Sequence, residues 1–331
     1  MEKTIAAFLD DMNVGPAQAW KNLTLFPLLS DRTSGLDYLL LDEALEKQCV
    51  TISEISEGGS VPELIVDNRG GHMLLMLDGE ELVGARQNRV INTTILVAAG
   101  TAVTIPVSCC EQGRWSYNSP HFSSENRVMS PRMRAFKSDQ VRSSLKSGLK
   151  FQSDQSAIWE DIAERADRRG ARSHSMAMAA IYEKEKTRLE DFRRQFHALD
   201  NQVGAILAIN GAIVGADMFS RPETFAMVFG KLIDSYALDA IDWLDTEQAP
   251  TAGGPDPAAF IAAVKSASAE SHPSVALGRD IRFESDRVNG FALIHEDTLL
   301  HLSSFARFKE AGRIRNGRMQ RFSSRRARGR S

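Results

Sequence analysis

Residues 78–115 read DGEELVGARQNRVINTTILVAAGTAVTIPVSCCEQGRW. Within this stretch the runs 91–97 and 101–107 are rich in β-branched residues and are joined by Ala98-Ala99-Gly100, which predicts two strands and a turn. Polar residues gather at the strand ends. Glu80, Glu81, Arg86, Gln87, Asn88 and Arg89 precede the ladder, and Glu111, Gln112 and Arg114 follow it. Side chains that only solvate a surface are usually spread out, whereas strand ends commonly present binding and catalytic groups. The stretch therefore predicts both the middle of a β-rich fold and its candidate site.

Upstream, LTLFPLL (23–29) predicts a strand and LDYLLLDEALEKQ (36–48) a helix. VTISEIS (50–56) alternates with period two, Gly58-Gly59 breaks the pattern before PELIVDN, and HMLLML (72–77) is apolar on both faces, as a central strand is. Downstream, Ser130 suits an N-cap and Pro131 the first helical position. Met133, Phe136, Val141, Leu145 and Leu149 give that helix an imperfect apolar stripe. Further helices are expected from about 153 to 169, 175 to 199, 223 to 243 and 258 to 269, with a Pro/Gly-rich loop at 246–257. The apolar run 203–219 is too short for a confident membrane span and holds Asn210-Gly211, so it reads as a hairpin. A second hairpin is expected about Asn289-Gly290, followed by the strand LLHLSSF. The expected class is α+β: a β-rich core of N-terminal strands and C-terminal hairpins with a helical insertion. One domain spans 1–306, strand-rich over 20–115, helical over 130–200 and mixed over 201–306.

The chain has 331 residues, 43% hydrophobic and 25% charged, which suits a soluble globular protein. Its start, MEKTIAAFLDDM, does not read as a secretory signal, and no membrane association is expected. Three cysteines without pairing or zinc-ligand spacing fit a reducing cytoplasm. Residues 307–331 carry +9 and leave −12 on the rest of a chain whose total is −3. That tail reads as disordered and solvated, with nucleic acid or an acidic partner surface as the functional alternative.

Alternation from 103 to 112 places Val103, Ile105, Val107, Cys109 and Glu111 on one face. If the strand persists to Glu111, burial raises its pKa and suits it to acid/base work. If the strand ends at Cys110, Glu111 simply pairs with Arg114. Of the adjacent Glu80 and Glu81, at most one is expected to enter a pocket, where it would form an acid/base couple or a divalent-cation site with Glu111. Arg89 and Arg114 are fitted to hold carboxylate or phosphate, Trp115 to stack, and Gln87, Asn88 and Asn92 to bond hydroxyls and amides. A polar network that locks two loops is the competing account. Cys109 reads as a buried inert thiol, and Asp154, Gln155 and Trp159 as residues that line the site from a helix. No GxxxxGK[ST], GxGxxG, HExxH or CxxC motif is present, so no cofactor is assigned and any phosphate falls to arginines.

DGEELVGARQNRVINTTILV with IPVSCCEQGRW, together with LDEAL (41–45), SDQSAIW (153–159) and NQVGAILAINGAIVGADMF (201–219), resembles the ARPP domain. That domain is named for its association with ADP-ribosylglycohydrolases and the rhodanese-phosphatase superfamily. The resemblance covers roughly 23–245 and leaves the arginine tail outside. It implies a small nucleotide-type ligand of the NAD and ADP-ribose class, either processed or only bound. The candidates it carries are Glu80, Glu81, Gln87, Asn88, Arg89, Glu111, Arg114, Asp154 and Gln155. In the hydrolytic version Glu111 is the acid/base, Arg89 and Arg114 clamp phosphate, and Gln87 and Asn88 orient the sugar.

Overall fold

The run 203–219 folds as a hairpin of strands Gln202–Ile209 and Ala212–Phe219, turning at Asn210 and Gly211 with φ of 49° and 74°. Both values are left-handed, as a two-residue turn between twisted strands requires. This hairpin is the centre of a ten-stranded sheet. On one side it pairs with Leu23–Leu29, which also takes the short strands Asn13–Val14 and Gln18–Trp20. On the other it pairs with Thr298–Glu310, followed by Val288–His295, Arg279–Glu284 and Ser268–Pro273, antiparallel throughout.

A second, six-stranded sheet runs Phe122–Val128, Glu80–Gly84, Arg89–Ile91, Thr101–Cys109, Glu63–Asn68, Val50–Glu54. Three strands, Ile95–Val97, Met73–Met76 and Tyr38–Leu40, complete the β structure beside it. Seven helices are found among the described residues, so the fold is α+β with a β-rich core. The computed structural model describes residues 1–31, 34–56, 60–117, 119–171, 173–245, 254–310 and 313–316, the last few from 308 onward as backbone. No helix among them is long and apolar enough to cross a membrane.

The helix Pro131–Lys146 begins where Ser130-Pro131 predicts, and it ties the two large sheets together. Arg134 donates from its two terminal nitrogens to the two carboxylate oxygens of Asp217 on the large sheet, at 2.8 and 2.7 Å. Three residues along the helix, Lys137 donates to Asp78 and to the Ile91 carbonyl beside the smaller sheet. Tyr236 and Ser303 also donate to Asp217, and His301 links it to Thr94. All of these side chains are buried.

Four expectations change. The run 36–48 is a strand, Tyr38–Leu40, followed by a short helix, Leu41–Glu46. Tyr38, Leu39 and Leu40 pair in parallel with Met73, Leu74 and Leu75, and tertiary pairing overrides local helix preference. The strand expected over 91–97 is interrupted at 92–94, because Asn92, Thr93 and Thr94 turn their side chains to Phe151, Asp280 and His301. Asn289-Gly290 is not a turn but lies inside the strand Val288–His295. The chain reverses after that strand at Glu296 and Asp297, whose φ values of 48° and 55° are left-handed. Finally, the tail does not begin at 307. Thr298–Glu310 continues through Arg307, which donates to Asp139 and Glu284, and Arg313–Asn316 pairs back onto it. Residues 317–331 lie outside the described residues.

Candidate functional site

The two polar clusters of 78–115 meet at one end of the six-stranded sheet. Arg89 stands opposite Cys109 on one neighbour and Leu82 on the other. Between the strands Glu80–Gly84 and Arg89–Ile91 the chain turns through Gly84 and Ala85, both at positive φ. That turn delivers Asn88 to the centre. Its Nδ2 donates to Glu81 (3.4 Å), its backbone N–H to Glu111 (3.0 Å), and its Oδ1 accepts from Arg114 (3.0 Å).

Arg114 closes the arrangement. Its Nε and one terminal nitrogen donate to Glu111 at 2.9 and 2.6 Å, and the other terminal nitrogen donates to the Ala85 and Ser116 carbonyls. Every nitrogen of this guanidinium is engaged, so Arg114 clasps loops 84–88 and 111–116. Arg114→Ala is expected to destabilise the fold by about 1–3 kcal/mol, the cost of orphaning buried acceptors. A urea midpoint within error of the parent's would show that the loops are held by something else.

The strand ends at Cys109, so Glu111 does not continue its buried face. Burial alone would raise the Glu111 carboxyl, but bonds from Arg114, Ser175 and the Asn88 N–H outweigh it and hold the carboxyl below its ordinary range. This reverses the expected shift and its physical basis for acid/base work. Glu80 and Glu81 are both fully buried and face opposite ways. Glu80 accepts from Lys231 at 2.5 Å and from the Leu77 N–H at 2.7 Å, so it belongs to the contact with helix Pro222–Asp245. Glu81 faces the cluster: one oxygen accepts from Asn88, and the other lies 3.5 Å from Arg127 without a hydrogen bond. Burial pushes both carboxyls up, against the pull of Lys231 on Glu80 and of Arg127 on Glu81.

Gln155 donates to and accepts from the backbone of Cys109, at 2.6 and 2.7 Å, and so extends the strand pairing with a side-chain amide. Asp154 is exposed and caps its helix by accepting from the Ser156 and Ala157 N–H groups, away from the cluster. Gln87 accepts from Arg89 and from the Cys109 thiol, both at 3.2 Å. Burial pushes that thiol up, in keeping with an inert cysteine. Asn92 is spent on Phe151 and Ser108.

Arg89 differs from Arg114. It is fully buried, and one terminal nitrogen donates to the Gln87 carbonyl and side chain at 3.1 and 3.2 Å. Its Nε and other terminal nitrogen have no hydrogen-bond partner. Trp115 lies over it, with the ring centroid 5.8 Å from the guanidinium carbon and 45% of the residue exposed. Arg86 stacks against both Trp115 and Tyr117. Glu54, Tyr117 and Arg127 adjoin Arg89, Arg86 and Glu81, and sequence reasoning passed them over. Glu54 carried a signal, since it closes a half-buried alternating strand; Arg127 carried none. No group of three or more histidine, cysteine or acidic side chains that could hold a metal ion occurs among the described residues.

Residues 11–305 match the sequence model of the ARG and Rhodanese-Phosphatase-superfamily-associated Protein domain, ARPP-1. The chain belongs to this family. No curated protein and no solved structure matches it. The ARPP-1 name links the chain to the ADP-ribosylglycohydrolase and rhodanese-phosphatase superfamilies. The ARPP-1 match spans both large sheets and stops within Thr298–Glu310, so the described part of the hairpin beyond 305 lies outside it.

Proposed function

We propose that this ARPP-1 chain binds and hydrolyses a phosphorylated nucleoside ligand, with NAD and ADP-ribose as the first compounds to try. The observation that carries the reading is Arg89, a buried guanidinium with two nitrogens that make no hydrogen bond, beneath the half-exposed Trp115. Trp115 and Tyr117 stack on a base, Arg86 between them meets phosphate, and Arg89 donates to the ligand from below. Gln87 and Asn88 set the positions of Arg89 and Glu81. The acid role passes from Glu111 to Glu81, because burial pushes the Glu81 carboxyl up while bonds from Arg114 and its neighbours hold that of Glu111 down, and a raised pKa suits a proton donor. Glu111 then positions the clasp through Arg114, and Glu80 holds the helix behind.

The test is incubation with NAD, ADP-ribose, ADP-ribosylated substrates and their guanine counterparts, with products resolved by chromatography. Glu81→Gln is expected to lower turnover by about 100-fold or more, the usual worth of a proton donor. Because the protonated form is active, turnover falls as pH rises through the raised pKa. Turnover that is unchanged in Glu81→Gln removes Glu81 from the mechanism. A non-catalytic module is the second reading, favoured by the way Glu111 and Arg114 saturate one another. It predicts calorimetric binding, lost in Arg89→Ala, with no product. A polyanion or acidic partner for the arginine-rich segment is a separate proposal, tested by deleting residues 317–331 and measuring salt-sensitive binding.

A further inference from the structure

Arg89 faces Glu54 across a gap that neither closes. Their nearest nitrogen and oxygen are 3.9 Å apart, with the Glu54 side chain 4% exposed and that of Arg89 not exposed at all. Both Glu54 oxygens lack a hydrogen-bond partner, as do Nε and one terminal nitrogen of Arg89. Oppositely charged forks this deeply buried normally close to hydrogen-bond contact, because each unpartnered group is costly. Arg89 is held off from below by Gln87, which fixes its remaining nitrogen. The pair thus presents two donors beside two acceptors, in a protein interior, under an aromatic ring.

We infer that the base of the ligand is guanine, held edge-on between Arg89 and Glu54. This rests on the nucleotide reading above, names its base and narrows that reading, because the adenine of NAD and ADP-ribose leaves the Arg89–Glu54 pair half matched. Guanine carries two acceptors, N7 and O6, next to two donors, N1–H and the N2 amine, along one continuous edge. Arginine matches the O6/N7 pair with a bidentate fork. An ionised carboxylate is acceptor-only and takes the two N–H groups. Adenine offers a single amine flanked by lone acceptors, and the pyrimidines offer three groups in a row, so neither satisfies all four protein atoms. Trp115 then stacks on the base face. Since Arg89 is fully covered in the free protein, Trp115, together with the Arg86 and Tyr117 packed against it, moves aside to admit the base and closes over it.

The experiment is calorimetry of the full chain with GDP, IDP, 7-deaza-GDP and ADP. GDP is expected to bind tightest. IDP lacks the N2 amine and 7-deaza-GDP lacks the N7 acceptor, so each binds about 10-fold more weakly, and ADP about 100-fold more weakly, in line with the discrimination of a bidentate contact per base edge. Glu54→Gln is expected to weaken GDP by about 10- to 100-fold and to narrow the gap between GDP and ADP. The analogue series uses the unaltered protein, so it decides the matter even if Glu54→Gln folds poorly. ADP binding as tightly as GDP, lost on Trp115→Ala, overturns guanine and leaves the nucleotide reading standing. Equal affinity for GDP and both analogues also overturns it. If no nucleotide binds, the base assignment and the reading beneath it fall together.

Discussion

Replacing Arg134 by methionine is expected to lower folding stability by about 3–5 kcal/mol, the cost of removing one partner from a buried ion pair. Methionine fills much of the space, so the loss reports the charge left behind on Asp217. That carboxylate still accepts from Ser303 and from Tyr236, the latter at 3.0 Å, and has His301 at 3.3 Å, but it loses its bidentate cation. Burial would raise the Asp217 carboxyl; the Arg134 charge and bonds, helped by His301, outweigh it and hold the carboxyl well below the ordinary aspartate range. The sign for stability follows. A carboxyl depressed in the folded state stabilises the fold above the unfolded pKa of about 4, and that contribution is lost as pH falls toward the folded pKa. The deficit of Arg134→Met should therefore be full at pH 7 and shrink at pH 3. Urea unfolding at both values measures it. An equal deficit at the two would mean that lost packing, not the ion pair, accounts for the change.

Gly290→Ala is expected to cost about 3 kcal/mol, the upper part of the range for overpacking a core. A Cβ there would sit 2.2 Å from the Ser303 carbonyl oxygen and 2.5 Å from the Phe283 ring. The nearest obstacle is backbone of a paired strand and cannot rotate away. The φ of Gly290 is not in the left-handed region, so alanine loses nothing by conformation and the close approach alone decides. In a chain of 331 residues the melting temperature should drop by about 4 °C. A variant within 0.5 kcal/mol of the parent would show that the two strands separate easily at this point.

Gly290 also marks the limit of what the sequence discloses. Asn-Gly has two physical uses, a left-handed turn and a close approach of backbones, and only the partner strand tells them apart. Asn210-Gly211 and Asn289-Gly290 look alike as dipeptides; the first turns and the second does not. Alternation located Val50–Glu54 and Thr101–Cys109, and Ser130-Pro131 the helix start, because burial on one face and capping are local properties. The clustering of polar residues was legible for the same reason: Glu81, Gln87, Asn88, Arg89, Glu111 and Arg114 are near in sequence and stay near in space. Their division of labour was not. It depends on which guanidinium finds carbonyls to bond, and the Ala85, Ser116 and Gln87 carbonyls occupy Arg114 and Arg89 very differently. The bridging of Asp217 by Arg134, 83 positions apart, was likewise beyond reach.

The order of strands in the large sheet has a consequence during synthesis. Ala212–Phe219, among the most apolar segments of the chain, finds its outer neighbour only in Thr298–Glu310, roughly 80 residues later. At typical ribosomal speeds of about 5–20 residues per second, that edge emerges without its partner for about 4–16 s. A nascent chain in that state offers open backbone and aliphatic side chains to any passing strand, so productive folding depends on shielding by chaperones or on a translation rate that keeps the wait short.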